Sequence, residues 1–413
     1  MYLKHLSLNK FRNYQTAEVV FEPGINLLVG RNGQGKTNLV EAIRYLSILK
    51  SHRVAGYLPL IYNGAESALI RAMAVVDDRE ALLEVELNRS SANRARVNKS
   101  DLSKQRDILG FVNSVIFAPE DLDIVKRDPS NRRDFVDELV VQVWPRFAGV
   151  FSDYERVLKQ RNTLLKSARA TKTTGSALAT LDAWDASLAK YGSEIIEARL
   201  DLIERLIPHV DSAYKSIASS NNEPSIEVKS SILGDAVKSY FDEEAESTDF
   251  LESAAGLTRA ELEEKFHVKL SQIRPKELER GLTLIGPQRD DLLFKLGALP
   301  VKGYASHGES WSFALALRLA SVELLRAETK TGDPILILDD VFAELDAERR
   351  TKLAEMVHSN EQVFITAAVA EDVPASLKSR PYFVKAGEVS REAQIDKEAR
   401  VISNDSSAGD DVE

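Results

Sequence analysis

Hydrophobic and polar positions alternate at the start of the chain, as they do in a half-buried β-strand. The first residues place Leu6 and Leu8 on one face, and a second strand follows. The apolar run Ile25–Val29 predicts a buried strand, which leads into a glycine-rich loop and a helix. Later strand patterns predict an antiparallel meander and a short buried strand, at Ala68–Val76, Ala81–Leu87, Arg94–Asn98 and Ser114–Phe117.

After about residue 129 the apolar spacing becomes helical. Phe135, Leu139 and Val143 recur at the helical period, and the same spacing continues to about Val210, which predicts a helical arm. A turn is expected at Thr171–Ser176. After Gly281 strands and helices alternate again, with a buried strand at Pro334–Leu338, a helix at Asp346–His358 and a strand at Val363–Ala367.

This layout predicts an α/β fold that is interrupted by a helical insert and then completed. We expect the first part of a head in residues 1–128, a helical arm in 129–274 and the second part of the head in 275–387. Residues 388–413 are polar and acidic, and we expect them to form a disordered tail.

Composition narrows the kinds of site that the chain can hold. It has no cysteine, which excludes disulfides and thiolate sites, and its six histidines do not show metal-ligand spacing. We see neither an apolar run of the roughly 18–20 residues that span a bilayer nor a signal-peptide pattern. These features predict a cytoplasmic protein with no membrane partner.

Charge is distributed unevenly along the chain. The net charge is −10, but residues 242–264 and 388–413 alone contribute −8 and −5. Residues 89–106 instead hold six bases and one acid, and residues 126–133 hold four bases and one acid. Such runs are either solvated faces or patches that bind phosphate groups, and local patches can do so whatever the total charge.

The glycine-rich loop between the buried strand and the helix fits the GxxxxGK[ST] pattern from Gly30 to Thr37. Its glycines let backbone N–H groups point at phosphate oxygens. Lys36 is expected to reach the β- and γ-phosphates, and Thr37 to offer its hydroxyl to Mg²⁺. The predicted nucleotide ligands here are Gly30, Asn32, Gly33, Gly35, Lys36, Thr37 and Asn38.

A second half of the site is predicted far along the chain. The apolar strand Ile335–Leu338 ends in Asp339 and Asp340, the Walker B arrangement. Asp339 is expected to hold Mg²⁺, and Asp340 to orient or deprotonate the attacking water, so that Asp340 and Lys36 are the predicted catalytic residues. Lys36 and Asp339 are 303 positions apart, a separation typical of the SMC-like branch of ABC ATPases.

A signature motif is expected between these two elements. Ser306, Gly308 and Glu309 stand before a predicted helix at Trp311–Leu325, and Ser306 with the N–H groups of the helix start could bind a γ-phosphate. The same residues could form an ordinary helix cap. In ABC folds this motif faces the nucleotide of a second subunit. Ala343–Asp346 resembles the D-loop that crosses that interface.

Together these residues resemble the RecF family of bacterial recombination mediators. Besides the ABC motifs, the segments Leu8–Tyr14, Gly286–Asp291 and Asp339–Asp346 are similar to that family. Three positions depart from the expected pattern: Gln288 replaces a histidine, His307 stands where a glutamine-like residue is usual, and Asp340 stands where ABC transporters have glutamate.

The resemblance implies an α/β ABC-type head and a weak, DNA-stimulated ATPase that uses ATP and Mg²⁺. ATP would join two copies around DNA at gaps and at single-strand/double-strand junctions. The family also implies RecO and RecR as partners, assistance in RecA loading and a place at the nucleoid. Arg12 is expected near the nucleotide, as its equivalent is in related heads.

The candidates for contacts with DNA phosphates lie in the two basic runs. They are Arg89, Arg94, Arg96, Lys99, Arg132 and Arg133.

Two other functions are open. A transporter ATPase subunit would require a membrane partner and only a modest helical subdomain, whereas the predicted arm is long. A nuclease of the overcoming-lysogenisation-defect type would require a carboxylate-rich metal domain after the ATPase core, and the sequence ends before one.

Overall fold

The computed structural model describes residues 1–171, 179–218, 222–234 and 252–391. In these ranges three sheets and nine α-helices are present. Among the described helices, none is both long and apolar enough to cross a membrane.

The first sheet has six antiparallel strands and contains the N-terminus. Alternation of apolar and polar residues explains it: Leu6 and Leu8 in the first strand are buried, while their neighbours face outward. The predicted meander is confirmed. In chain order the strands are β1 (Tyr2–Phe11), β2 (Tyr14–Val20), β4 (Ser67–Val76), β5 (Arg79–Asn88), β6 (Arg94–Val97) and β7 (Ser100–Asp101), arranged β2-β1-β4-β5-β6-β7.

The second sheet joins the two ends of the sequence. Five of its strands are parallel and form the order β16-β15-β3-β14-β13-β8, in which β16 alone is antiparallel. These strands are nearly continuous apolar runs because both faces of the sheet are covered. They are β3 (Gly24–Val29), β8 (Ser114–Phe117), β13 (Ile335–Asp339), β14 (Gln362–Ala367), β15 (Tyr382–Lys385) and β16 (Glu388–Ser390).

Helix α1 (Lys36–Ile48) packs with the antiparallel sheet on one face of the parallel sheet, against Ile337 and Phe364. The opposite face, which includes Leu336 and Leu338, packs against helices from both halves of the chain. These helices are α2 (Leu122–Lys126), α3 (Pro129–Val143), α7 (Val301–Tyr304), α8 (His307–Glu328) and α9 (Ala347–Val357), together with the C-terminal part of α5 (Ala179–Ile217). The parallel sheet is therefore the central layer of the head.

A separate apolar cluster holds the arm together. It joins α4 (Phe147–Thr171), the N-terminal part of α5 and α6 (Arg259–Arg280). A small sheet of order β10-β9-β11-β12 lies beside these helices. Its strands are β9 (Pro224–Ser230), β10 (Glu252–Ser253), β11 (Asp291–Leu296) and β12 (Leu299–Pro300).

The structure differs from the sequence prediction in three places. The range 129–274 is not helical throughout, because β9 and β10 lie within it, and α3 packs in the core of the head. The predicted tail is wrong at its start, since residues 388–390 form β16; residues 392–413 lie outside the described ones. The turn expected at Thr171–Ser176 also falls mainly outside them.

Candidate nucleotide-binding site

The phosphate loop connects the carboxyl end of β3 to the first turn of α1, and two of its glycines are required by their surroundings. Gly35 has a φ of +122°, and a Cβ there would lie 2.8 Å from Tyr14 Oη, which donates to Gly35 O at 2.9 Å. Gly30 lies against Val384 O, and a side chain would collide with that oxygen. The loop thus stays close to two neighbouring strands.

Lys36 is buried, and its ammonium group folds back over the loop. Nζ donates to Gly30 O at 2.8 Å and lies 3.4 Å from Asn32 Oδ1. This hydrogen bond joins the end of the GxxxxGK[ST] motif, at Lys36, to its first residue, Gly30. An ammonium held there can meet phosphate oxygens that the loop N–H groups bind.

Thr37 and Asp339 meet across the sheet edge. Thr37 Oγ1 donates to Asp339 Oδ1 at 3.1 Å, and the same carboxylate oxygen accepts from Thr366 Oγ1 at 2.6 Å. Burial raises the pKa of Asp339 to about 6, partly opposed by the hydrogen bonds from Thr366 and Thr37. Thr366 stands at the end of β14, and its position next to the Walker B strand in a parallel sheet is the signal that would have identified it.

Hydroxyl and carboxylate oxygens are the ligands that Mg²⁺ prefers, so Thr37 and Asp339 fit that ion. Among the described residues, no group of three or more His, Asp or Glu could hold a metal alone. A cation here would therefore share its shell with phosphate oxygens and water. Its charge would also offset the burial that raises the pKa of Asp339.

Asp340 has the left-handed backbone conformation, with a φ of +50°. Its N–H donates to Thr366 Oγ1 at 3.0 Å, which fixes the strand end that carries both acidic residues. Thr366 therefore holds Asp339 through its hydrogen and Asp340 through its oxygen. The structure gives the two adjacent carboxylates distinct environments, since Asp339 is buried and Asp340 is half-buried.

A cavity of about 640 Å³ opens beside α1 and the β1–β2 turn. Arg12 lines it and is held by Glu41, a buried carboxylate on α1, through bonds of 2.7 and 2.6 Å. Arg53 lines it as well and donates to Asn38 Oδ1 at 2.9 Å. Arg12 and Asn38 were predicted near the nucleotide from the sequence, whereas Glu41 and Arg53 were not predicted as site residues.

The hairpin between β15 and β16 contacts the phosphate loop through Gln34. Ala386 N donates to Gln34 Oε1 at 2.7 Å, and Gly387 N donates to Gln34 O at 3.1 Å. Asn13 Nδ2 also donates to Gln34 O, at 3.1 Å. The loop is thus supported by strands from both ends of the sequence.

The predicted signature residues cap helix α8. Ser306 Oγ accepts from Glu309 N at 3.2 Å, and Ser306 N donates to Glu309 Oε2 at 2.9 Å, which is a capping box. In the described ranges no hydrogen bond or ion pair joins Ser306, Gly308 or Glu309 to the phosphate loop. The motif is therefore a helix cap in this structure, and its predicted role towards the nucleotide of a second subunit stays a prediction.

One predicted DNA contact is wrong, and a second is partly engaged within the protein. Arg132 is buried and makes bonds of 2.7 and 2.9 Å to the buried carboxylate of Asp291. Arg133 is half-buried and donates to Asp290 O at 2.7 Å, and burial lowers its pKa. Arg132 ties α3 to the start of β11 and is not available to a DNA backbone. Arg133 ties α3 to the residue before β11, and its contact with DNA stays a prediction.

The other basic candidates lie at or near the β5–β7 edge of the antiparallel sheet. Arg89, Arg94 and Lys99 are exposed, and Arg89 also lines the cavity beside Arg12. Arg96 is paired with Asp101 at 2.6 Å, which raises its pKa. Because that acidic partner offsets its charge, Arg96 is a weaker candidate for a phosphate contact than its exposed neighbours.

The comparisons with known proteins cover almost the whole chain. Residues 2–385 match the family model of the RecF/RecN/SMC N terminal domain. The DNA replication and repair protein RecF of Clavibacter michiganensis subsp. michiganensis is 54% identical over 389 residues, 94% of this chain and 96% of that protein. RecF of Streptomyces avermitilis is 52% identical over 394 residues, 95% of this chain and 100% of that protein.

Solved structures agree with the sequence matches. The recombination mediator protein RecF with ATP, from the RecFOR pathway, superposes with a TM-score of 0.81 at 29% identity, covering 94% of this chain and 97% of that one. An Smc head domain from Pyrococcus furiosus gives a TM-score of 0.50 at 14% identity, covering 98% and 99%, and shares the fold alone. The predicted α/β head of the ABC type is confirmed.

Proposed function

Because this chain belongs to the RecF family, we propose that it is an ATP-dependent DNA-binding protein of replication and recombinational repair. One observation carries the proposal. Thr37 donates to Asp339 beside the phosphate loop, whereas in the described residues Ser306, Gly308 and Glu309 of the same chain form no hydrogen bond or ion pair with that loop. Such an arrangement leaves each head with an incomplete site that a second copy can complete.

In this proposal ATP lies on the phosphate loop. Backbone N–H groups from Gly33 to Thr37 and the start of α1 would bind the phosphates, and Lys36 would neutralise the γ-phosphate. The cavity lined by Arg12 and Arg53 would take the nucleoside end, since it adjoins Asn13, which holds the loop.

Residues of this chain would also contribute to hydrolysis of the γ-phosphate of ATP. Asp340 would accept a proton from, or orient, the water that attacks the γ-phosphate. Thr37 and Asp339 would hold Mg²⁺, which supplies charge neutralisation of the phosphates when bound. Asp340 has a shorter side chain than glutamate, so we expect slow turnover that serves as a switch.

Dimerisation follows from the placement of the signature motif. Ser306, Gly308 and Glu309 of one copy would close over the nucleotide of the other, and ATP would become part of the interface. Hydrolysis would remove the γ-phosphate and let the dimer open. ATP would thus shift the population towards dimers because it contacts both copies only in that state.

DNA would lie across the paired heads. Arg89, Arg94 and Lys99 are the exposed candidates for phosphate contacts, with Arg96 in a minor role. Family membership supports gapped DNA and single-strand/double-strand junctions as substrates, RecO and RecR as partners, assistance in RecA loading and a nucleoid location. Within residues 129–274 we propose the α4–α5–α6 cluster as the arm, because it has an apolar core of its own, while α3 and the C-terminal part of α5 belong to the core of the head.

Sedimentation tests the proposal. We expect the wild type to dimerise and to bind a gapped duplex only with ATP, and Lys36→Ala to do neither. Lys330→Ala, which removes an exposed lysine after α8, is the matched control and should behave as the wild type does. If the wild type stays monomeric and ignores DNA at low salt with ATP, the proposal is wrong.

A further inference from the structure

The glycine of the signature motif is covered by an arginine from another element. A Cβ atom at Gly308 would lie 2.8 Å from Arg349 Nη2, closer than side chains approach one another. Gly308 lies in the first turn of α8 and is not among the glycines with positive φ. A side chain at position 308 would therefore displace the Arg349 guanidinium group, whereas the backbone conformation there does not require glycine.

Arg349 is anchored along one side of its guanidinium group. Nη1 donates to Asp346, the residue that caps α9, and Nε donates to Ser312 Oγ at 3.2 Å. Within the described parts of the chain Nη2 has no hydrogen-bond acceptor, and 27% of the side chain is exposed. The guanidinium group is therefore oriented by α8 and α9 while one nitrogen remains available beside Gly308.

The surroundings of this nitrogen favour an anion. The N-terminus of the 22-residue helix α8 carries partial positive charge, and Lys126 Nζ lies 3.1 Å from His307 Nδ1 in its first turn. Of the two nearby acids, Glu309 accepts hydrogen bonds from Ser306. Asp346 accepts hydrogen bonds from Arg349 itself.

We propose that Arg349 binds the γ-phosphate of the nucleotide held by a second copy of the chain. The proposal rests on the ATP-dependent dimer proposed above and adds a ligand to its shared site. A guanidinium group matches phosphate geometry and keeps its charge at all physiological pH values. Since Arg349 also joins Asp346 to Ser312, it makes the D-loop and the signature helix one unit.

The first test separates nucleotide binding from dimerisation. Arg349→Ala should bind a fluorescent ATP analogue as a monomer within about twofold of the wild type, because its own phosphate loop is intact. Its ATP-induced dimerisation should require about tenfold or more protein, since one charge-assisted contact is lost in each site. Arg349→Lys should recover part of the effect. Lys352→Ala, which removes another cation of α9, is the control and should dimerise normally.

Mixing tests whether the residue acts between copies. Lys36→Ala lacks a nucleotide site but keeps Arg349, whereas Arg349→Ala has the reverse defect. In an equal mixture the heterodimers should hold one complete site and give about half of the wild-type turnover per dimer, whereas neither variant alone has a complete site. A mixture whose turnover does not exceed that of the separate variants would overturn the assignment between copies.

Further outcomes distinguish this inference from the proposed function. Normal dimerisation of Arg349→Ala, or a loss of nucleotide binding by its monomer, would overturn the role of Arg349 alone. A wild type that stays monomeric with ATP would overturn the dimer on which both depend. If Arg349→Ala fails to fold, Gly308→Ala takes its place, because a methyl group there displaces the guanidinium group without removing it; normal dimers of that variant would contradict the proposal.

Discussion

Thr37 Oγ1 and Asp339 Oδ1 lie 3.1 Å apart although 302 positions separate the two residues. The parallel sheet creates this contact, because β3 and β13 are separated only by β14 and end at the same edge. Thr366, on the strand between them, completes the contact with a bond of 2.6 Å to the same oxygen. A single carboxylate oxygen is thus held by residues from both halves of the chain.

Thr366→Val should raise the Mg²⁺ concentration that ATP hydrolysis requires. The change removes a hydrogen bond that favours the ionised form of Asp339, so the pKa of Asp339 should rise further. We expect the Mg²⁺ concentration for half-maximal ATPase activity at pH 7 to rise about five- to tenfold. Thr366→Ser keeps the hydroxyl and is the control; equal Mg²⁺ dependence of the valine and serine variants would contradict this role.

Asp339→Asn should stabilise the protein without nucleotide at pH 8. Burial raises the pKa of Asp339 from its ordinary value of 3.8 to about 6, so between these pH values the folded protein holds a proton there that the unfolded chain has lost. Stability from this group is present below about pH 4 and is lost as the pH rises to about 6. The asparagine variant avoids that loss, and its free energy of unfolding at pH 8 should exceed the wild type's by about 1–3 kcal/mol.

Urea unfolding at pH 4 and pH 8 measures this difference. Comparing the two proteins cancels other groups, such as His52, whose pKa burial lowers to about 4. The advantage of the variant should be small at pH 4. If the wild type is the more stable protein at pH 8, burial of the ionised Asp339 carboxylate does not destabilise the fold.

Arg132→Ala should reduce the stability of the protein, whereas Arg94→Ala should reduce its affinity for DNA. Arg132→Ala leaves the buried carboxylate of Asp291 unpaired and should lower the free energy of unfolding by about 3–5 kcal/mol. Arg94→Ala should leave stability within about 0.5 kcal/mol but weaken DNA binding. The log–log dependence of affinity on salt should flatten by about 0.9 for each lost phosphate contact.

Thermal melts and DNA titrations at several salt concentrations check both variants. Lys99→Ala should behave as Arg94→Ala does, since that lysine is also exposed near the sheet edge. An unchanged salt slope for both exposed variants would move the DNA surface away from the β5–β7 edge.

Gln34→Ala should reduce ATP affinity more than it reduces stability. Its side chain accepts from Ala386 N at 2.7 Å, and the loss of one hydrogen bond predicts an increase in Kd of about fivefold. The measurement is titration with a fluorescent ATP analogue. Gln15→Ala, at an exposed position of β2, is the control; equal affinities for the two variants would show that the hairpin does not position the loop.

Much of the nucleotide site could be predicted from the sequence because its motifs combine glycines, a lysine and paired acids in a fixed order. Gly35, Lys36, Thr37 and Asp339 needed only that order and the flanking strands. Thr366 and Glu41 could not be predicted in the same way, since each is an ordinary residue of a strand or helix. Their roles follow from sheet neighbours and helix packing that only the three-dimensional structure shows.

The two basic runs could not be interpreted from the sequence alone. Charge along the sequence placed Arg132 and Arg94 in one class, yet Arg132 meets the buried Asp291 from a distant segment and Arg94 stays exposed. A buried charge requires a partner, and sequence spacing does not reveal whether one exists. The helical arm was predicted from its periodicity, but β9, which pairs with β11, was not recognised within it.

The position of β3 between β14 and β15 has a consequence for synthesis of the protein. Residues 24–29 of β3 pair with strands in residues 362–385. The ribosome therefore makes more than 300 intervening residues before β3 can pair with β14 and β15. At roughly 5–20 residues per second this delay lasts on the order of 15–70 seconds. During that time the backbone N–H and C=O groups along both edges of β3 lack their strand partners, so the nascent chain presents an unpaired strand that can join another chain.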